Sequence, residues 1–423
     1  MKKISVIIFL LSLAAALRAQ DSVMTLAGQV QASGAINGTG TNALFSDPAA
    51  IVTDSHGNFF VADSQNDAVR EITTNGVVTT FAGQLGVPGN ANGSGTNAQF
   101  NAPSGLAFDA NGNLYVSDTG NNTLREITPG GAVSTIAGVI GPGGFADGVA
   151  GAALFSSPLG IAVATNGTIF IADSGNHCIR QIFGGMVSTF AGAPKIWGTA
   201  DGTGTNAQFN GPVGLVFDAR GNLFVSDANN DTIRVIATNG LVTTFAGLAG
   251  ADGSADGLPA LARFRSPAEL AFDRNGNLFV ADSFNETLRE ISTNGMVSTV
   301  SGAVGTSGTN DGVNGAGRFC NPYGVAVAAD GSLWMTDTYN ELIRVVIIPF
   351  TLSAQSSNGN NFVTLSWNAV IGKVYQAQYA NAMNSPAWSN LDTSIIATNS
   401  VASVIDNLPG LAPQKFYRIL LIQ

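Results

Sequence analysis

Histidine and cysteine, the side chains that most often hold transition metals or act in nucleophilic catalysis, occur in this 423-residue chain only as His56, His177, Cys178 and Cys320. Carboxylates and amides recur instead, at fixed offsets. Asp63, Asp118, Asp173, Asp227, Asp282 and Asp337 are each followed three residues on by asparagine and seven on by Arg70, Arg125, Arg180, Arg234, Arg289 and Arg344. A carboxylate beside a guanidinium can orient a polar ligand or form an ion pair. Six identical copies favour the ion pair, because chemistry needs asymmetry at one place.

These residues sit inside a longer period. Units beginning at Phe45, Phe100, Phe155, Phe209, Phe264 and Phe319 are spaced by 55, 55, 54, 55 and 55 residues, as expected of a repeat architecture. In the second unit, Gly105 to Asp109, Asn113 to Asp118, Thr123 to Ile127 and Ala132 to Gly138 read as four short strands joined by turns rich in Gly, Asn and Pro. Both faces of this meander are apolar. That predicts an all-β, six-bladed β-propeller of four-stranded antiparallel blades, each packed between two neighbours around a channel. A four-residue turn would set Asp63 opposite Ala68 and Arg70 opposite Val61, diagonal neighbours on one face.

The sixth unit runs out at Pro349 without a fourth strand, and Val23 to Gly28 repeats the pattern of Val133 to Gly138. The chain is therefore expected to close its circle by pairing residues 23–28 with 342–347, which removes two sheet edges. Residues 1–19 read as a secretory signal peptide, with Lys2 and Lys3 ahead of an apolar run to Leu17; 20–348 reads as the propeller and 349–423 as a small β-sandwich. Export to the periplasm, cell surface or medium follows. Without Lys2, Lys3 and Arg18 the chain has 15 basic residues against 28 acidic, a surface that repels nucleic acid. Past the leader no apolar run is long enough to span a membrane as a helix. A monomer is expected, with both cysteines unpaired because the third and sixth blades lie across the ring.

Segments such as GNLYVSDTGNNTLREI and GTIFIADSGNHCIRQI resemble NHL repeats, and the likeness recurs from about residue 45 to 347. In the tail, LSWNA and KFYRILL resemble fibronectin type III-like modules, with Trp367 expected inside and Trp388 more plausibly packing than sugar-binding. NHL propellers serve as binding platforms, enzymes and scaffolds, so the resemblance does not choose a function.

Function is sought where the units differ. Trp197 and Lys195 occur only in the loop entering blade four; Phe284 and Tyr339 replace small or amide residues in adjacent turns; Tyr323 and Glu269 lie near the start of innermost strands, Glu269 where four units have Gly105, Gly160, Gly214 and Gly324. Together Trp197, Glu269, Phe284, Tyr323 and Tyr339 form a candidate recognition patch at the channel mouth. His56 and His177 fall in turns on opposite faces, so no shared metal and no cofactor are expected. Asn37, Asn92, Asp147, Asp201, Asp256 and Asp311, in the interblade loops, read as turn residues rather than calcium ligands. The composite expectation is an exported, non-catalytic scaffold that binds a protein, peptide or glycan on its loop face. The alternative is a lactonase-like hydrolase or lyase using Asp47, Glu269 and Asn321 at the channel.

Overall fold

The computed structural model describes residues 22–313, 315–347, 353–356, 362–368, 374–380, 389–396, 401–407 and 416–421. The expected signal peptide and Trp388 lie outside them, as does the side chain of Trp367. The chain forms two compact units, one of Asp21–Ala328 with Ser332–Ile347 and one that includes Ile348–Gln423.

The first unit is an all-β propeller of six antiparallel sheets. Blade two shows how a repeat folds: Pro103–Phe108, Leu114–Asp118, Thr123–Ile127 and Ala132–Ala137 pair in sequence order. Its first turn is built by Asp109, whose carboxylate accepts the N–H groups of Asn111 and Asn113 at 2.9 and 2.8 Å. Gly112, at φ 83°, supplies the left-handed residue that this turn needs. The second turn is a single 3-10 turn, Thr119–Asn121, closed by Asn122 at φ 56°.

Five blades carry more than the expected four strands. Two-residue segments of the interblade loops, such as Gly93–Ser94, pair along the outermost strand and cap its edge. Blade five has only a single bridge there, Gly257 to Val297. Each innermost strand also carries a bulge: in blade five Pro267 pairs with Asp282 and Leu270 with Val280, so Ala268 and Glu269 together oppose Ala281. The circle closes as expected, with Ser22–Ala27 pairing antiparallel to Leu342–Ile347 and Val23 opposite Val346.

Between blades the core is a series of apolar layers. The Phe that opens each repeat is fully buried. Phe60 meets Phe108 of the next blade edge-on at 5.1 Å, and Phe59 stacks on Trp334 across the closure.

The second unit is a small β-sandwich. Ser353–Ser356, Phe362–Asn368 and Val401–Asn407 form one sheet; Val374–Ala380 centres the other, paired with Phe416–Leu421 and two short strands. Leu365, Tyr375, Ala377, Ala402 and Val404 bury their side chains between them.

Candidate functional site

The repeated polar residues build a frame. In every blade the Asp ending the second strand meets the Arg of the third, at 2.5–3.0 Å, with both side chains no more than 1% exposed. The register is the diagonal one, Asp63 opposite Ala68 and Val61 opposite Arg70. The second Asp63 oxygen accepts the N–H of Ser46, and Asn66 donates to the carboxylate and to Gly34 O. Arg70 also donates to Leu44 O, Ile36 O and Asn37 Oδ1, and lies over the Phe45 ring at 5.2 Å. Burial pushes the carboxyls of Asp63, Asp227, Asp282 and Asp337 up to about 6 despite their Arg partners, so they remain ionised at neutral pH.

The loop residues Asn37, Asn92, Asp147, Asp201, Asp256 and Asp311 do more than shape a turn. Each accepts a hydrogen bond from its blade's Arg, at 2.5–2.9 Å, tying loop to sheet. A second set was not legible in the sequence. The residue closing each 3-10 turn, in turn Asp67, Asn122, His177, Asp231, Glu286 and Glu341, accepts a backbone N–H from the following blade at 2.5–3.0 Å. The donors, Ala102, Ser157, Gly211, Ser266, Asn321 and Asp47, all have φ between 47° and 60°. His177 takes this role through Nδ1, and burial lowers its pKa, so its neutral form fits.

Against this regular frame one end of the channel is asymmetric. The 3-10 turns and strand starts of blades four, five and six border a half-open cavity of about 200 Å³ lined by Val213, Ala268, Phe284, Asn321, Tyr323 and Tyr339, among others. Phe284 and Tyr339 are 53% and 60% exposed at its rim. Tyr323 is its inner wall. Tyr323 packs against the cluster of Val213, Ala228 and Ala268 and against the cluster that includes Ala49 and Ala50.

Glu269 lies one residue beyond Ala268. At the equivalent positions a Cβ on Gly105, Gly160, Gly214 or Gly324 would run into the carbonyl oxygen of the next blade, at Leu159, Val213, Ala268 and Ala49. Glycine is thus required at those four positions, while the first and fifth blades carry Ala50 and Glu269 there. Glu269 is half-buried as a residue, with its carboxyl surrounded by protein. Burial raises its pKa to about 8, opposed only by a hydrogen bond from Leu270 N–H. In turn burial and the charge of Glu269 raise the pKa of the Tyr323 hydroxyl.

Three of the five expected patch residues, Phe284, Tyr323 and Tyr339, line the cavity, while Glu269 is not in its lining and follows the lining residue Ala268 in the chain. Trp197 does not line it and stands 68% exposed on its own loop. Asn321 lines the cavity, whereas Asp47 is engaged at the closure through its N–H. A larger hollow of about 620 Å³ opens beside Asn37, Thr80, Gln84 and Thr96, but its lining holds no titratable group and no aromatic ring. Among the described residues no three His, Cys, Asp or Glu side chains cluster as metal ligands, and no helix is long and apolar enough to cross a membrane.

An apolar, aromatic-rimmed cavity on a six-bladed propeller defines the class. The family model for the NHL repeat matches residues 100–127 and 155–182, which supports a propeller of the NHL kind. Protein SUPPRESSOR OF QUENCHING 1, chloroplastic, of Arabidopsis thaliana is 27% identical over 379 residues, covering 84% of this chain and 35% of that protein. Human NHL repeat-containing protein 2 is 27% identical over 324 residues, 68% of this chain and 44% of its own length. The chain thus spans less than half of either relative. Among solved structures, a protein of unknown function and an auxiliary nutrient binding protein, both from Bacteroides thetaiotaomicron, superpose with TM-scores of 0.60 and 0.59 at 21% and 16% identity. Each match covers 77% of this chain and 76% of the other, and at that identity they show the fold.

Proposed function

We propose that this protein is a non-catalytic binding scaffold whose recognition site is the cavity framed by Phe284, Tyr323 and Tyr339. One observation carries the reading. Two large aromatic side chains stand at the rim of a half-open, mainly apolar hollow, in adjacent turns where the other repeats carry small or amide residues. In the other blades the same turn position holds Gln65, Gly120, Gly175 and Asn229, so nothing in the propeller frame demands Phe or Tyr there. At about 200 Å³ the hollow suits one side chain or end group of a larger peptide, protein or glycan. The auxiliary nutrient binding protein that shares the fold is in keeping with such a role.

Export is part of the proposal and rests on the leader-like residues 1–19. The tail is proposed to be a fibronectin type III-like spacer, on the strength of LSWNA and KFYRILL. A channel-mouth hydrolase or lyase is the second reading, favoured by the burial that raises the Glu269 pKa to about 8, into the range of a general acid working at neutral pH. The two separate on a peptide, glycan and metabolite array. A scaffold retains a ligand unchanged and loses it in Phe284→Ala with Tyr339→Ala; an enzyme converts it and loses turnover in Glu269→Gln.

A further inference from the structure

We propose that the cavity recognises an organic ammonium group, seated against Phe284, Tyr339 and Tyr323 with Glu269 as its counter-charge. This rests on the cavity being the binding site and adds the chemistry of what enters it.

The aromatic part of the argument is geometric. Phe284 and Tyr339 stand at equivalent positions of adjacent turns and line one cavity, with Tyr323 forming its inner wall. Aromatic rings lining a small hollow can attract a cation through the ring quadrupole. Their apolar surface also suits the methyl or methylene groups an organic ammonium carries.

The carboxylates make the hollow selective for charge. Asp231 accepts the N–H of Ser266 at 2.8 Å and Glu286 that of Asn321 at 2.5 Å, and both donors line the cavity. Glu269 follows the lining residue Ala268 in the bulge of its strand, and burial together with its charge raises the pKa of Tyr323. Asp231 and Glu286 thus stand one hydrogen bond behind the lining, at Ser266 and Asn321. The basic residue beside it, Arg265, pairs with Asp252 at 3.3 Å, at an exposed site where such a pair holds it only weakly. Asp231 and Glu286 are already bonded to backbone. Glu269 accepts only its neighbour's N–H and retains the capacity to take a further donor. An incoming cation favours the ionised form of Glu269, so binding should release a proton where that carboxyl is still protonated. The chain's formal charge of −10 also draws cations toward the site.

Titration calorimetry of the full chain with choline and with its uncharged isostere 3,3-dimethylbutan-1-ol tests this. Choline should bind and the isostere should bind about tenfold more weakly or not at all. Phe284→Ala with Tyr339→Ala, at exposed positions that leave the frame intact, should remove choline binding. Glu269→Gln, verified folded by its melting curve, should weaken it and abolish proton release. Choline affinity should rise between pH 6 and 9, since choline keeps its charge throughout; Tyr323 and Tyr339 in the lining and Asp231, Glu286 and Arg265 beside it are the other titratable or charged groups. Equal affinity for choline and the isostere, lost in the double variant, overturns the ammonium chemistry and leaves the cavity as a binding site. No choline binding to the folded chain overturns this inference, while binding of any other array ligand through Phe284 and Tyr339 preserves the wider reading.

Discussion

Glu341 in the sixth blade accepts the backbone N–H of Asp47 in the first at 2.7 Å, so a side chain closes the circle that Ser22–Ala27 closes with a strand. The same hydrogen bond joins every other pair of neighbouring blades. Ring closure thus rests on two devices, one of them present only at the sixth blade.

Deleting residues 20–28 removes the borrowed strand and exposes the edge of Leu342–Ile347. The melting temperature should fall by about 10 °C or more, several kcal/mol for a domain of this size. Glu341→Ala should cost less, about 1–2 kcal/mol, because only one backbone donor loses its partner. A deletion variant that melts with the intact chain would contradict the closure.

Asp118→Ala should destabilise far more than an average surface change. It strands Arg125 with no exposed surface, at a cost of about 3–5 kcal/mol in urea unfolding. Replacing Arg125 by leucine in the same chain should recover part of the loss, since the uncompensated charge is then gone. A single-variant cost below about 1 kcal/mol would mean the pair is screened rather than buried.

Glu269 gives stability a pH dependence of defined sign. Its folded pKa, about 8, lies above the ordinary carboxylate value of 4.5, so the folded chain holds a proton that the unfolded chain releases. The stabilisation is complete below about pH 4.5 and is lost as pH rises through 8. Glu269→Gln should therefore flatten the fall in stability between about pH 4.5 and 8 and be the more stable protein at pH 9, by about 1–3 kcal/mol. Parallel pH profiles for the two proteins would contradict an enclosed carboxyl.

Much of this was legible in the sequence because it repeats. The period, the four main strands, the diagonal of Asp63 and Arg70 and the closing strand all follow from residue type at fixed spacing. The extra edge strands did not, because Gly93–Ser94 is too short to show alternation. The blade-to-blade hydrogen bonds were hidden for another reason: Asp67, Asn122, His177 and Glu286 share an acceptor and a left-handed backbone, not a residue type. For the cavity, departures from the repeat pointed to Phe284, Tyr323 and Tyr339. Their convergence depends on how neighbouring blades abut at the channel, and by the same geometry Trp197 lies off the cavity.

Binding through the cavity is the claim on which the functional account stands. Wild-type protein and the Phe284→Ala, Tyr339→Ala variant should be compared on one array of peptides, glycans and small amines, with Trp197→Ala as the control. The account predicts at least one ligand retained unchanged by wild type and by Trp197→Ala and lost by the double variant. Identical binding profiles for wild type and a folded double variant would contradict it.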